Sequence, residues 1–138
     1  MLNTTSNGYL EYVFRRAARE IFGVVIDPTQ PLEYIQGKNK DLKECVLELQ
    51  GQVVLRFSAA YGFRNIQNII RNIKRGKCDY DYVEIMACPG GCLNGGGQIK
   101  PKEMVMDPKA LLELLETQMR NMDYKELVPN PEDNRSIK

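Results

Sequence analysis

The feature that most constrains this chain is a glycine-rich stretch built around two closely spaced cysteines. Residues 88–98 read Cys-Pro-Gly-Gly-Cys-Leu-Asn-Gly-Gly-Gly-Gln, so five of these eleven residues are glycine. Glycine loses more conformational entropy on folding than any other residue, and such a density needs a physical reason. One reason is the close approach of the backbone to a bulky inorganic group that accepts hydrogen bonds from N–H groups. Iron–sulfur clusters fit this description, which makes Cys88 and Cys92 candidate thiolate ligands.

Four alternatives to a cluster site stay open on residue chemistry alone. The stretch could be a glycine-rich turn with two incidental thiols, although that is an entropically costly way to build a loop. A zinc site commonly uses paired Cys-x-x-Cys motifs, and no second pair is present here. A disulfide is a third alternative, but four cysteines alone do not make a disulfide framework. A catalytic thiol would lack a histidine base, because the chain contains no histidine.

The remaining two cysteines have simpler interpretations. Cys45 lies on the predicted inward face of a hairpin, where we interpret it as a small buried apolar residue. Cys78 lies in a basic turn before a strand and is either incidental or a redox-sensitive or ligating residue. A four-iron cluster needs about four thiolates. Because only Cys88 and Cys92 are closely spaced, we expect the remaining ligands to come from outside these 138 residues.

Composition excludes several functional classes. The chain has 138 residues, 43% apolar and 27% charged, which is a globular balance in the size range of one domain. Its net charge of +1 provides no overall field that would attract nucleic acid or an anionic membrane. Apolar runs are far shorter than a membrane span, and the first residues lack the basic and apolar regions of a secretory signal. We therefore expect no nucleic acid and no membrane as partners.

Helical periodicity predicts a first helix over about residues 8–22. Its apolar stripe comprises Leu10, Val13, Phe14, Ala17 and Ile21. Charged residues including Arg15 and Arg16 lie between them, so we interpret the helix as amphipathic and packed on the core. Asn7 or Gly8 is the expected N-cap, and Gly23 follows the end. Residues 27–40 contain two prolines and read as a loop.

Alternating side chains predict a β-hairpin formed by residues 42–49 and 52–57. Gln50-Gly51 would be its two-residue turn. A further strand is predicted over Tyr80–Met86, with both faces buried. This strand leads directly into the cysteine-containing loop at residues 87–98.

A second helix follows the hairpin, and a third follows the loop. The apolar stripe of the second comprises Phe63, Ile66, Ile70 and Ile73. Segment 62–77 carries five basic residues and no acidic one, which indicates either a solvated face or a docking surface for an acidic partner. The third helix is expected to begin at Asp107-Pro108. Its apolar stripe would comprise Leu111, Leu114, Leu115, Met119 and Met122. We expect residues 128–138 to be a disordered tail.

The residues around the loop resemble the last of the three cysteine motifs of the iron-only hydrogenase superfamily. The resemblance rests on Tyr82–Cys92 and Asn94–Gln98 and extends through Tyr61–Asn68 back to Gly8–Glu11. It implies an α/β fold with a mixed sheet and flanking helices, one lobe of the hydrogenase large-subunit-like fold. On this basis residues 1–127 would form the C-terminal lobe of that domain.

The resemblance also implies the chemistry of the loop. Cys88 and Cys92 would be two ligands of a 4Fe-4S cluster. In hydrogenases the residue at the position of Cys92 also bridges to a di-iron subcluster, with Met86 nearby. Assembly factors of the superfamily are not thought to carry the di-iron part, so we transfer only the 4Fe-4S role. Cys45 and Cys78 match no ligand motif of the family.

The resemblance is closest to the eukaryotic branch of the superfamily. Hydrogenases place proline directly after Gly-Gly-Gly-Gln, whereas here Ile99 and Lys100 precede Pro101. The eukaryotic branch contains cytosolic iron–sulfur assembly factors and a prelamin-binding nuclear relative that tends to vary the cysteine motif. Two upstream cysteine motifs and a ferredoxin-like cluster of the family are absent, so the chain reads as the C-terminal part of a larger protein.

The expected function is therefore that of a segment of a cytosolic iron–sulfur assembly factor. Such a segment would hold or relay a 4Fe-4S cluster and would not turn over a small-molecule substrate. Its expected partners are proteins of the cytosolic iron–sulfur targeting complex, and its location is cytoplasmic, with a nuclear pool also considered. The alternatives are a fragment of an iron-only hydrogenase that reduces protons and a prelamin-binding nuclear protein.

Overall fold

A β-hairpin lies near the middle of the chain, and the other strands of the sheet pair on either side of it. The computed structural model describes residues 8–28, 30–99 and 107–121. In chain order its elements are α1 (Gly8–Phe22), β1 (Ile35–Gln36), β2 (Leu42–Leu49), β3 (Gln52–Tyr61), α2 (Phe63–Lys74), β4 (Tyr82–Met86), a short 3₁₀ helix (Gly91–Asn94) and α3 (Pro108–Asn121). The predicted hairpin is confirmed, although β3 runs four residues beyond the predicted Phe57.

The backbone conformation of the two-residue turn explains why the hairpin strands pair closely. Gln50 and Gly51 have φ angles of 52° and 78°, so both lie in the left-handed region. Two left-handed residues give the turn twist that matches the right-handed twist of paired strands. The pairing is interrupted once, at an irregularity between Leu47 and Glu48.

The strands form one mixed sheet in the order β1-β2-β3-β4. The first three are antiparallel, whereas β4 runs parallel to β3 because α2 carries the chain across between them. The predicted fold class, α/β with a mixed sheet and flanking helices, is confirmed. The expectation that residues 27–40 are entirely loop was wrong, because Ile35 and Gln36 pair with Lys43 and Glu44 as a short edge strand. Two residues are too few for an alternating pattern to show in sequence.

One face of the sheet packs against α1 to form the core. Leu10 and Phe14 of α1 are buried against alternate residues of β3, including Phe57 and Tyr61. The rings of Phe14 and Phe57 meet edge to face with centroids 5.2 Å apart. On the other side Phe57 stacks on Tyr82 at 4.9 Å. The core therefore joins α1 to β4, the strand that enters the cysteine loop.

The buried face of α1 is rotated from the prediction. Ile21, placed on the core stripe by periodicity, is 69% exposed, whereas Arg15 is only 8% exposed. The guanidinium of Arg15 donates to the carbonyls of Asp27 and Gln30, at 2.7 and 2.6 Å. These partners lie in the loop after the helix. The hydrophobic pattern of the helix therefore could not reveal them.

The apolar stripe predicted for α2 is mostly exposed, and one further expectation about burial, that for β4, was wrong. Phe63 is 70% exposed and Ile73 is 57% exposed. Only Asn65 and Ile69 of this helix are buried. β4 was expected to be buried on both faces, but it is an edge strand with Ile85 49% exposed. The face of β4 opposite α1 has too little of the described chain packed on it to cover Ile85.

The last helix begins where expected. The carboxylate of Asp107 accepts hydrogen bonds from the N–H groups of Lys109 and Ala110, as an N-cap does. Glu113 and Glu116 form ion pairs with Lys40 and Lys43, which ties α3 to the start of β2. Met122 and the expected tail at 128–138 lie outside the described residues. None of the described helices has the length and apolar character required to cross a membrane.

Candidate functional site

The cysteine loop begins directly at the end of β4. Cys88 is half-buried and Cys92 is exposed, and neither is in a disulfide. Between them Gly90 and Gly91 have φ angles of 74° and 72°, a backbone conformation that residues other than glycine rarely adopt. The N–H of Gly91 donates to the carbonyl of Cys88 at 3.1 Å and closes the turn. The structure thus brings the two predicted ligands into one tight loop.

Hydrogen bonds hold the rest of the loop to itself. The N–H of Gly95 and the side-chain amide of Gln98 both donate to the carbonyl of Cys92, at 3.0 and 2.9 Å. The side-chain amide of Asn94 donates to the carbonyl of Pro89 at 2.9 Å. Gln98, the last residue of the motif, therefore has a structural role at the second cysteine.

The glycines serve the loop in a different way from the one expected. The N–H groups of Gly90, Gly91 and Gly95 donate to oxygens of the protein itself, so these three do not point at a bound group. Gly96 and Gly97 have open space where a Cβ would stand, so packing does not require glycine there. Backbone conformation therefore explains Gly90 and Gly91, and nothing in the described structure explains Gly96 and Gly97.

Two side chains of the sheet lie near the second cysteine. The sulfur of Met86 lies 3.8 Å from that of Cys92. The hydroxyl of Tyr61 is buried, and its hydrogen-bond partner is the buried carboxylate of Glu84. Burial raises the pKa of Tyr61, and the charges of Glu84 and Cys92 raise it further. Tyr61, paired with Glu84, therefore lies within electrostatic reach of the candidate ligand Cys92.

Glu84 was not singled out in the sequence. Its other carboxylate oxygen accepts a hydrogen bond of 2.8 Å from the N–H of Leu10, in the first turn of α1. Burial raises the pKa of Glu84, partly offset by this bond and by Tyr61. The sequence signal that could have identified Glu84 is a glutamate within a strand of apolar residues, because an inward-facing carboxylate needs a specific partner.

The remaining cysteines lie elsewhere. Cys45 is buried in the core as expected, where burial raises the pKa of its thiol to about 12. Cys78 lies half-buried in the turn after α2. Among residues 8–28, 30–99 and 107–121, no three cysteine, aspartate or glutamate side chains are grouped so that they could hold a metal ion. Among the described residues the loop therefore brings two thiols, Cys88 and Cys92, close together in sequence without a third candidate ligand beside them.

Comparison with known proteins places these observations in a family. Residues 2–96 match the family described as "Iron only hydrogenase large subunit, C-terminal domain". "Cytosolic iron-sulfur assembly component 3" of Bos taurus is 59% identical over 99 residues, which cover 72% of this chain and 20% of the relative. "Protein NAR1" of Arabidopsis thaliana is 57% identical over 98 residues, which cover 71% of this chain and 20% of the relative. The chain thus spans about a fifth of the length of these curated relatives.

Solved structures with the same fold are hydrogenases. A variant of the [FeFe]-hydrogenase HydA1 from Chlamydomonas reinhardtii aligns with a TM-score of 0.69 at 24% identity, covering 96% of this chain and 39% of that one. A second variant of the same protein has a TM-score of 0.67 at 25% identity, with the same coverage of both chains. The sheet and its helices therefore have the hydrogenase large-subunit fold. Together with the family match over residues 2–96, this shows that the chain belongs to the iron-only hydrogenase large-subunit family, within its C-terminal domain.

Proposed function

We propose that this chain is a segment of a cytosolic iron–sulfur assembly factor and that Cys88 and Cys92 supply two ligands of a 4Fe-4S cluster. The proposal draws its function from relatives named as cytosolic assembly factors, among them a 62% identical protein of Xenopus tropicalis. The hydrogenase alternative is weaker, because the two HydA1 variants resemble this chain mainly in fold, at 24–25% identity.

The observation that carries the ligand assignment is the geometry of the loop. Two thiols outside any disulfide lie in one tight turn at the end of a strand. A bound 4Fe-4S cluster would supply an electron-accepting or transferable inorganic group. This chain's own residues would hold that group from one side: Gly90 and Gly91 set the turn between the thiols, and Gln98 fastens the carbonyl of Cys92.

The other ligands would come from parts of the protein that this chain does not contain. The loop offers two thiolates where a four-iron cluster takes about four. Cys45 is buried in the core and Cys78 lies beyond α2. Because the chain spans only 20% of the bovine relative, a protein of that length has room for the missing ligands outside the matched part.

The proposed partners are proteins of the cytosolic iron–sulfur assembly and targeting machinery, and the proposed location is the cytosol, with a nuclear pool. Helix α2 is the candidate docking face. It exposes Phe63, Ile70 and Ile73 beside the basic side chains of Arg71 and Lys74. An acidic partner with an apolar stripe has the chemistry to cover this surface.

Iron binding in a protein of full length tests the proposal. After anaerobic reconstitution, Mössbauer and EPR spectra should show a 4Fe-4S cluster that is lost when Cys88 and Cys92 are replaced by alanine. Cys78→Ala is the matched control and should leave the spectra unchanged. Equal iron binding after both loop replacements would overturn the ligand assignment.

Two further assays separate the alternatives. Hydrogen evolution after di-iron maturation would favour the hydrogenase function, and we expect none. Capture of a prelamin tail that survives Cys88→Ala and Cys92→Ala would favour the prelamin-binding function, since binding of that kind does not need the thiols.

A further inference from the structure

We propose that Asp41 is the positioning residue of the cysteine loop, holding it against the sheet from the turn that precedes β2. This inference deepens the proposed function, because it concerns how the two thiols are presented. It rests on contacts between this chain's own residues, so it can be tested without iron.

The central contact joins Asp41 to the loop. The N–H of Gly90 donates to Oδ1 of Asp41 at 2.7 Å, across 49 residues of sequence. Pro89 has no N–H, so Gly90 is the first residue after Cys88 that can donate a backbone hydrogen bond. A carboxylate acceptor makes this bond stronger than one between neutral groups. Asp41 thus holds the loop at its midpoint, between the two cysteines.

Asp41 is itself fastened to the end of β3. Its carbonyl accepts the N–H of Tyr61 at 2.8 Å. Tyr61 is the last residue of β3, and its buried side chain is within electrostatic reach of Cys92. The N–H of the next residue, Gly62, donates to the carbonyl of Met86 at 2.8 Å. Asp41 therefore relates the loop to the same strand end that carries the phenol.

Two asparagines fix the turn from which Asp41 reaches. Oδ1 of Asn39 accepts the N–H of Asp41 at 3.0 Å. The side-chain amides of Asn39 and Asn65 bond each other in both directions, at 2.9 and 3.0 Å. Asn65, buried in the first turn of α2, also donates to the carbonyl of Tyr61 at 2.9 Å. A continuous chain of hydrogen bonds thus runs from α2 through Asn39 and Asp41 to Gly90.

The hydrogen bonds from Gly91, Asn94, Gly95 and Gln98 all end on carbonyls within the loop itself, so they shape the loop without joining it to the sheet. The thiol of Cys92 makes a weak contact with the sulfur of Met86 at 3.8 Å, and the 3₁₀ helix of the loop packs against α3. The bond to Asp41 is stronger than the sulfur contact because its acceptor is a carboxylate. Van der Waals contact between Pro89 and Gly62 remains, where a Cβ on Gly62 would stand 3.4 Å from the proline ring. Loss of the Asp41 carboxylate should therefore free the loop locally while the core stays folded.

The four cysteines make this testable within the 138-residue chain, because they report on three regions: the core, the turn after α2 and the cysteine loop. The experiment compares wild-type protein with Asp41→Ala, Asp41→Asn and, as a matched control, Asp79→Ala, which removes an exposed carboxylate outside the loop. Each protein is treated with iodoacetamide under native conditions, and mass spectrometry gives the alkylation rate at each cysteine. The alkylation rate of Cys45 reports global opening of the core, and that of Cys78 reports the exposure of a turn away from the loop.

We expect Asp41→Ala to raise the alkylation rate of half-buried Cys88 by about tenfold, the factor expected for loss of one charge-assisted hydrogen bond. Rates at Cys45 and Cys78 should stay as in wild type. Asp41→Asn keeps an oxygen acceptor and should restore most of the wild-type rate. Asp79→Ala should leave the rates at Cys88 and Cys45 unchanged, and only the rate at its neighbour Cys78 should respond to the lost charge.

An unchanged Cys88 rate in Asp41→Ala, or no rescue by asparagine, would overturn the proposal. A parallel rise at Cys45 would also count against it, because it would assign Asp41 to general stability. Titration of the same proteins with Co²⁺, read by thiolate-to-metal absorption, separates this result from the proposed function. Wild-type protein without any Co²⁺ absorption would weaken the ligand assignment and leave the alkylation result standing.

Discussion

At the scale of single residues, the most informative side chain is Glu84. It lies in a strand, yet its carboxylate accepts the N–H of Leu10 and so satisfies a helix N-terminus that is 74 residues away in sequence. Helix N-termini leave unpaired N–H groups and favour negative charge. Glu84 therefore joins α1 to β4 through a polar contact next to the core.

Replacing Glu84 separates its charge from its hydrogen bond. Glu84→Gln keeps an acceptor for Leu10, whereas Glu84→Ala should cost about 1–3 kcal/mol of unfolding free energy by leaving that N–H buried and unpaired. Burial raises the pKa of Glu84 above its ordinary 4.5, so the folded protein takes up a proton before the unfolded chain does as pH falls. As the pH falls from about 7 toward 4.5, the unfolding free energy of wild type should therefore rise relative to that of Glu84→Gln. Denaturant unfolding across this range measures the difference, and a flat or reversed trend would contradict the assigned shift.

Arg15 gives a second prediction at this scale. It is buried beside Glu11, with its guanidinium on two loop carbonyls. Arg15→Ala should lower the unfolding free energy by about 3 kcal/mol, because it leaves Glu11 buried without its cation. Arg16→Ala is the matched control one residue away. Arg16 pairs with Glu20 on an exposed face, and its loss should cost less than about 1 kcal/mol. Equal losses in the two variants would show that Arg15 is not the buried partner.

At the scale of elements, α2 shows what sequence pattern can and cannot predict. Periodicity predicted this helix and its end near Gly76, because helix spacing and glycine stop signals are local properties. The buried face could not be predicted in the same way. The isoleucine and phenylalanine stripe is wide, and the sheet covers only its edge at Ile69. Asn65 can be buried because its side-chain amide donates hydrogen bonds to Asn39 and to the carbonyl of Tyr61. Both partners lie outside α2, so the sequence of the helix could not reveal them.

Two isoleucines of α2 test which face is anchored. Ile69 is 4% exposed, and Ile69→Ala should cost about 2–4 kcal/mol through lost burial and the cavity left behind. Ile73 lies one turn later and is largely exposed, so Ile73→Ala should cost less than about 1 kcal/mol. Thermal and urea unfolding measure both variants. A larger loss at Ile73 would mean that the predicted stripe, and not the Ile69 edge, packs on the sheet.

At the scale of the whole molecule, the sequence predicted the cysteine loop and its place after a strand more fully than it predicted the packing. The cysteine loop was predictable because glycine density, thiol spacing and the preceding strand are all local in sequence. Asp41, Tyr61 and Glu84 were not predictable as parts of this site, because only the folded sheet brings them to it. Apolar residues such as Ile85 and Phe63 are exposed, as expected of a chain that spans about a fifth of the length of its bovine relative.

That incomplete coverage makes the iron content of the chain by itself a sharp prediction. A 4Fe-4S cluster takes about four thiolates, and the loop offers Cys88 and Cys92. We expect reconstituted protein to hold well under about four iron atoms per chain, since one chain cannot complete the ligand set. Any cluster that is retained should bridge two chains, which light scattering after size-exclusion chromatography would detect as a dimer of the 15.8 kDa chain. Cys78→Ala should change neither result. About four iron atoms in a monomer, lost in Cys78→Ala, would instead bring Cys78 into the ligand set and require the turn after α2 to move to the loop.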